Sequence, residues 1–322
     1  MPTAFVTGVS GQDGSYLVER LLADGWTVHA LIRPGDTRID AQLARTPQII
    51  GHVGDLADPE GLMALIETVA PEEIYHLGGL TSVARSWREP VLSAKLSGLG
   101  TAALLAAAWS VTERTGRAVR VLHASSSEIF GAPKEAPQTE ATPLRPVSPY
   151  GAAKAYGHQL GQVYRGQGLH VVNVILYNHE SPRRPVDFVT RKITRAAARI
   201  AAGLDQEVRL GNLAAVRDWG WAPDYVEAMI RAVRHDTPDD YVVATGEAHT
   251  VEDFVREAFL RAGLEDWASH VIVDEGLLRP ADPARMVGNP SHAGNVLGWR
   301  PTVGFAELVR RMVDADRAAI NS

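Results

Sequence analysis

The feature that most limits what this chain can fold into lies at its start. An apolar run, Ala4-Phe5-Val6-Thr7, leads directly into Gly8, Gly11 and Gly14, spaced G-x-x-G-x-x-G, and a helix-forming stretch follows from Ser15 to Leu22. A strand that turns through glycines into a helix N-terminus makes a phosphate cradle. Backbone N–H groups and the helix dipole face the anion, and the missing side chains let a pyrophosphate approach the backbone. A tight strand-to-helix turn without a ligand uses the same glycines, so the pattern alone is weak. Here strand and helix both stand where a cradle requires them. Gly8, Ser10, Gly11, Gln12, Asp13 and Gly14 are therefore candidate dinucleotide contacts.

The second strand says which dinucleotide to expect. A ribose with a free 2′-hydroxyl is usually held by Asp or Glu about 20 residues further on. The strand Thr27-Val28-His29-Ala30-Leu31-Ile32 ends instead in Arg33. A carboxylate there would repel a 2′-phosphate, whereas Arg33 pairs with it. Asp36 and Asp40 come later and read as turn and helix-start residues. NADP is expected rather than NAD.

The chain has 322 residues, enough for a large core and two lobes. No segment is expected to reach the length of a membrane span. Residue 4 already belongs to the first strand, so no signal or transit peptide is expected ahead of it, and a cytoplasmic location is expected. There is no cysteine, which excludes disulfides, thiolate chemistry and zinc–thiolate sites. No metal is expected. A net charge of −6 with no basic run argues against a nucleic-acid groove. Only four of the 32 basic residues are Lys, so each of those Lys merits a closer look.

Short apolar strands alternate with helical segments: strands near 48–53, 73–77, 118–124 and 169–176, and helices near 58–69, 91–115 and 150–165. Such alternation implies an α/β fold, a Rossmann-like doubly wound parallel sheet whose ligands sit beyond the carboxyl ends of its strands. The stretch from Gly131 to Pro149 carries five prolines and reads as a loop suited to covering a substrate. From about Asn178 the order changes to helices separated by short strands and Gly/Pro loops. The expected division is a cofactor domain over 1–177 and a smaller substrate-binding domain over 178–322, interleaved at the boundary.

Tyr150 and Lys154 form Y-x-x-x-K at the start of a helix, which puts both side chains on one face. A tyrosine works as a base near neutral pH only when its phenolate is stabilised, and an adjacent ammonium would lower its pKa. An exposed helix pair is the bland alternative. Ser125-Ser126-Ser127-Glu128 follows the fifth strand, where a serine hydroxyl can share a substrate proton with Tyr150. Glu128 adds a second proton-transfer group, which a plain alcohol dehydrogenase does not need. It could also be a solvated turn residue.

With these residues assembled, the chain resembles the GDP-mannose 4,6-dehydratases of the extended short-chain dehydrogenase/reductase superfamily, whose variant glycine spacing it shares. The resemblance rests on Gly11-Gln12-Asp13-Gly14-Ser15-Tyr16-Leu17, Gly54-Asp55-Leu56, Ser125-Ser126-Ser127-Glu128, Tyr150 with Lys154, Asn178-His179-Glu180-Ser181-Pro182-Arg183-Arg184, Arg217-Asp218-Trp219-Gly220 and Arg279-Pro280-Ala281. What it implies is an internal redox reaction. Tyr150, helped by Ser126, removes the C4 hydroxyl proton while hydride passes from C4 to NADP; Glu128 takes the C5 proton, water leaves from C6, and the hydride returns to C6. Lys154 would hold the nicotinamide ribose and depress the Tyr150 pKa. Asp55, Leu56, Leu77, Gly79, Thr81, His179 and Arg184 would join the cofactor contacts. Thr81, Ser126, Glu128, Asn178, Lys192, Leu210, Arg217, Arg279 and Asp282 would hold the GDP-sugar. A homodimer or homotetramer is implied as well.

The chain departs from the family at several points. Leu80 stands where a polar amide near the nicotinamide is usual, Leu92 where a cofactor-contacting tyrosine is common, and Asp282 where Glu is usual. The loop after Arg33 is shortened. The rival readings are a nucleotide-sugar epimerase or reductase on the same fold, which has no clear use for Glu128, and a non-catalytic NADP-binding protein.

Overall fold

The computed structural model describes every residue except Arg279 and Ser322. Seven short runs of aliphatic and β-branched residues form β1 (Thr3–Thr7), β2 (Thr27–Ile32), β3 (Ile50–Val53), β4 (Glu73–His76), β5 (Arg120–Ser126), β6 (His170–Leu176) and β7 (Asp240–Val243). They make one sheet in the order β7-β6-β5-β4-β1-β2-β3, parallel throughout. Strands β4 and β7 are buried along their whole length, as strands covered by helices on both faces must be. The strand order reverses between β1 and β4, which opens a crevice at their carboxyl ends.

The main helices are α1 (Gln12–Ala23), α2 (Pro59–Val69), α3 (Pro90–Thr115), α4 (Pro149–Gly166), α5 (Val189–Ala201), α6 (Ala222–Arg234), α7 (Val251–Ala262) and α8 (Phe305–Asn321). Helix α3 turns π-helical over Ala94–Leu99 before resuming as α. It corrects one expectation: on length and composition it is long and apolar enough to cross a membrane. In the fold, 56% of that apolar stretch is buried. Leu104, Leu105, Ala107 and Ala108 pack with Phe5, Ile74 and Val121 on one face of the sheet.

After residue 178 the chain returns to the first core. Strand β7, helix α6 and Trp299 pack with the sheet, and Trp299 Nε1 donates to the Asp224 carbonyl at 2.8 Å. A separate core forms where Ile193 and Ala197 of α5 meet Phe254 and Phe259 of α7 and Leu308 and Met312 of α8.

Two local expectations change. Strand β5 runs two residues further than its apolar run, so Ser125 and Ser126 end the strand rather than follow it. The proline-rich loop does not cover the cleft described below; it packs on the sheet edge. Gln138 is fully buried there, giving its N–H to Val287 O at 2.8 Å and accepting from Tyr177 Oη at 2.9 Å. Glu140 accepts the Val242 N–H of β7 at 2.7 Å, a side-chain partner for an edge strand that would otherwise present a bare amide.

Candidate active site

A cleft of about 570 Å³ opens at the carboxyl ends of β4, β5 and β6 and is closed on its far side by the second core. It brings together Asp13, Leu77, Thr81, Ser126, Glu128, Tyr150, Lys154, Asn178, His179, Arg184, Lys192, Leu210, Arg217 and Asp282, all of them expected from the sequence. Asp187, Phe188, Asn212, Trp219, Leu277 and Leu278 also line it and were not anticipated. Leu277, ending a short 3-10 turn, and Leu278 after it are large apolar side chains about half exposed, a feature that only the fold reveals. Leu80 and Leu92 lie outside the cleft lining, and Leu80 is buried. Arg279 lies outside the described residues.

The glycine loop, with Gly8, Ser10, Gly11, Gln12 and Gly14, sits beside the cleft at the start of α1. Gly8 has φ +78°, and a Cβ on it would stand 2.9 Å from the Gly78 backbone nitrogen. A Cβ on Gly14 would fall 2.2 Å from the Gly8 carbonyl oxygen. Gly11 precedes α1 with no side-chain cap, so the helix start offers backbone donors to an anion. These features fit a dinucleotide pyrophosphate. Asp55 accepts from Ala57 N, Leu56 is buried beneath the turn after β3, and Gly79 adopts φ +154° against Ser97.

At the end of β2, Arg33 is exposed and makes no side-chain hydrogen bond or ion pair among the described residues. Asp36 is a turn residue, accepting from Arg38 N at 3.1 Å, but it does more. It also accepts from the Ser10 hydroxyl of the glycine loop, and Arg38 pairs with it. The first carboxylate after β2 is thus already engaged.

The candidate reacting groups come from two elements. Ser148 caps α4 through Gly151 N at 3.0 Å, and Tyr150 and Lys154 lie on the buried face of that helix. Ser126 caps the short 3-10 turn Ser127–Ile129 by accepting from Glu128 N at 3.2 Å, which leaves Glu128 half-buried at the cleft. Burial pushes the Tyr150 phenol up to about 12; the Ser126 hydroxyl bonded to it works the other way, Glu128 and Asp13 raise it, and Arg184 lowers it. Burial pulls Lys154 down to about 8, and its ammonium donates to Ala124 O at 2.8 Å. The lowering expected from Lys154 thus falls in this chain chiefly to Ser126 and Arg184.

On the second-lobe side, Asn178–Glu180 pairs in parallel with Trp219–Trp221. His179 bonds Asp13, and Arg184 pairs with Glu180 at 3.2 Å with its guanidinium over the Phe188 ring. Arg217 was expected to face a diphosphate. Its guanidinium donates to Asp282 at 2.6 Å and to Pro283 O at 2.8 Å, so much of its charge is offset within the chain. Lys192 lines the cleft half-buried.

A phosphate-cradling loop on a doubly wound sheet, with Tyr and Lys on one helix face beneath it, is the arrangement of the extended short-chain dehydrogenase/reductases, and this chain is one of them. It belongs to the GDP-mannose 4,6-dehydratase family, whose sequence pattern matches residues 5–312. GDP-mannose 4,6 dehydratase 2 of Arabidopsis thaliana is 45% identical, the match covering 97% of this chain and 86% of the relative. Among solved structures, a UDP-glucose 4-epimerase of Thermus thermophilus complexed with NAD superposes with TM-score 0.84 at 31% identity, covering 98% of this chain and 99% of its own. The RMD protein of Pseudomonas aeruginosa complexed with NADPH gives TM-score 0.81 at 25% identity, covering 99% and 100%.

The glycine geometry generates a direct test. Gly14→Ala sets a methyl against backbone that has no room to yield, at a cost of about 1–3 kcal/mol. Dinucleotide affinity measured by calorimetry should fall at least about tenfold, while the far-ultraviolet circular dichroism stays native.

Proposed function

We propose that this chain is a nucleotide-sugar 4,6-dehydratase that converts GDP-mannose to the GDP-4-keto-6-deoxy sugar and water, with NADP as its resident cofactor. One observation carries the reading. Glu128 shares the cleft with Tyr150, close enough for its charge to act on the phenol. A reaction that only oxidises and reduces C4 needs one proton-transfer group, whereas elimination needs a second one at C5. The family match supports the same reading.

Bound over the glycine loop, the nicotinamide supplies the hydride acceptor for C4 and the hydride donor for C6. The chain's own groups do the rest. Tyr150 accepts the C4 hydroxyl proton, and Ser126, hydrogen-bonded to the phenol, steadies the phenolate that takes it. Once C4 is a ketone the C5 proton is acidic; Glu128 removes it and passes it to the C6 hydroxyl, which leaves as water, and the proton that Tyr150 took balances the one C5 regains when C6 is reduced. Lys154 holds the nicotinamide ribose, and Lys192 and Arg217 face the substrate diphosphate, Arg217 steadied by Asp282. The division into a cofactor domain over 1–177 and a substrate domain over 178–322 belongs to the same proposal. So does a cytoplasmic location, in keeping with a chain that has no cysteine to oxidise.

The decisive experiment replaces Glu128 with Gln, nearly the same shape but unable to accept the C5 proton. Product detected as a mass loss of one water should fall by about 10²–10⁴-fold, and solvent deuterium should no longer enter C5. Calorimetric binding of the nucleotide sugar should be retained. Turnover within a few-fold of the unmodified protein would show that Glu128 is only structural and leave the dehydratase reading on the family match alone; an unmodified protein that releases no water from the nucleotide sugar would leave the epimerase reading.

The cofactor preference has its own test. Arg33 is exposed where a 2′-phosphate would lie, and Asp36 is engaged with Ser10 and Arg38. NADP should bind more tightly than NAD, and Arg33→Asp should reverse the order. Equal affinities in the unmodified protein would refute the assignment.

We also propose that the chain forms at least a homodimer. Val91 and Leu99 of α3 and Tyr156 and Val163 of α4 stand exposed on neighbouring helices, an apolar face suited to a second copy. Light scattering at micromolar concentration should give at least twice the monomer mass; a monomer mass would overturn it.

A further inference from the structure

His179 sits where the chain returns to the site, and each of its ring nitrogens faces an acceptor. Nδ1 lies 2.7 Å from the Tyr177 carbonyl oxygen, and Nε2 lies 2.8 Å from Asp13 Oδ2. A neutral imidazole has a single N–H, so one of these contacts would then set lone pair against lone pair. Only the imidazolium donates both. A proton on Asp13 instead would satisfy the same distances, but Asp13 stands in the first turn of α1 and accepts from Gln12 Nε2 at 3.0 Å, both of which favour its anion.

We propose that His179 is a positioning residue, held as a buried imidazolium to cancel the Asp13 carboxylate between the glycine loop and Tyr150. Asp13 lines the cleft and its charge raises the Tyr150 phenol. Left alone at the start of α1, it would oppose both a pyrophosphate on the glycine loop and the Tyr150 phenolate. His179 offsets that field without moving the loop. Its ring is fixed by stacking on Tyr225 of α6, with centroids 4.6 Å apart. Its backbone is fixed by Gln12, whose Nε2 donates to His179 O at 3.0 Å while its Oε1 accepts from Ser181 Oγ at 2.9 Å. The neighbouring Arg184 and Glu180 pair with each other; Arg184 still attracts the Asp13 carboxylate and opposes the charge on His179, each a smaller effect than the His179–Asp13 contact itself.

The protonation equilibria agree with this geometry. Burial acts to raise Asp13, but the His179 charge and hydrogen bond, with Gln12 and Arg184, hold it below the usual carboxylate value of 3.8. Burial acts to lower His179, and Asp13 holds it above the usual 6.5. The pair's stabilisation is therefore present between these two limits. It is lost at low pH as Asp13 takes a proton, and at high pH as His179 gives one up.

The first measurement uses the unmodified protein. Its histidine ring-nitrogen resonances, recorded at a pH where a free imidazole is neutral, should show His179 protonated on both nitrogens. A neutral tautomer there overturns the proposal. The second compares His179→Gln, Asp13→Asn and the double variant. His179→Gln keeps a donor toward Asp13 but loses the charge. Its dinucleotide affinity should drop about tenfold or more, and the alkaline-going limb of its kcat profile should move to higher pH. Adding Asp13→Asn should restore both toward the unmodified protein. A double variant no better than His179→Gln, or a limb that stays in place, shows a merely structural contact. The kinetic arm rests on the dehydratase reading. The resonance and dinucleotide-binding arms do not, so they decide the role of His179 even if that reading fails.

Discussion

The rest of the structure depends on how closely the ends of β1 and β4 approach one another. At Gly8 any side chain would press on the Gly78 backbone, and at Gly14 on the Gly8 carbonyl. This bare backbone contact lets the strand order reverse beside an uncapped helix start, which is what turns a parallel sheet into a phosphate site. The same loop then becomes a hinge plate for the second half of the chain. Gln12 and Asp13, the first two residues of α1, hold the Asn178–Glu180 strand and Ser181 by three side-chain hydrogen bonds. Glycine loop and second lobe are thus fastened through adjacent residues of one motif.

Much of this was legible in the residue pattern because glycine spacing, strand–helix alternation and a four-residue helical repeat are local signals. Gly8, Gly11 and Gly14, the Tyr150–Lys154 face and the long α3 all stand where their sequence context put them. What escaped was set by tertiary pairing. Strand β5 continues through Ser125 and Ser126 because both find partners in Ile175 and Leu176 of β6, which no propensity of serine announces. The proline-rich loop looks free to cover a ligand until Glu140 and Gln138 are seen to satisfy the edge of β7 and the chain around Val287. That edge lies about a hundred residues downstream. The burial of α3 likewise depends on neighbours rather than on its own composition.

Arg217 shows how a residue that does line the cleft can be given an incomplete role by sequence alone. A lone arginine in a cleft invites a diphosphate, and the resemblance says as much. In the fold it is an arginine with a carboxylate already bonded to it, and with two carbonyls fixing one of its nitrogens. Such a group is oriented before a ligand arrives, so less rotamer entropy remains to be lost on binding. Its attraction for an anion is correspondingly weaker than that of a free guanidinium. Position, more than bare charge, is what the Asp282 contact supplies.

Lys154 follows the opposite rule, and the residues beneath it explain why. A row of buried polar side chains crosses the sheet under α4. His76 is held between Thr7 Oγ1 at 2.9 Å and Thr101 Oγ1 at 3.0 Å, and His123 bonds Asn173 Oδ1 at 3.0 Å. Burial, then the Lys154 charge, brings His76 down to about 3, and the same two causes keep His123 well below its ordinary value. Both rings are therefore neutral wherever the enzyme works. The nearest fixed anion of the row, Asp240, is spent on Arg165, Gln162, Asn173 and His158. Lys154 is thus a buried ammonium floored by neutral imidazoles, with a carbonyl rather than a carboxylate as its hydrogen-bond partner. Burial is what brings its pKa down to about 8. A carboxylate in that floor would pin the proton on Lys154 and attract the ammonium away from the cleft. The neutral row leaves Lys154 as a cation whose charge is available to whatever ribose or phenolate stands above it.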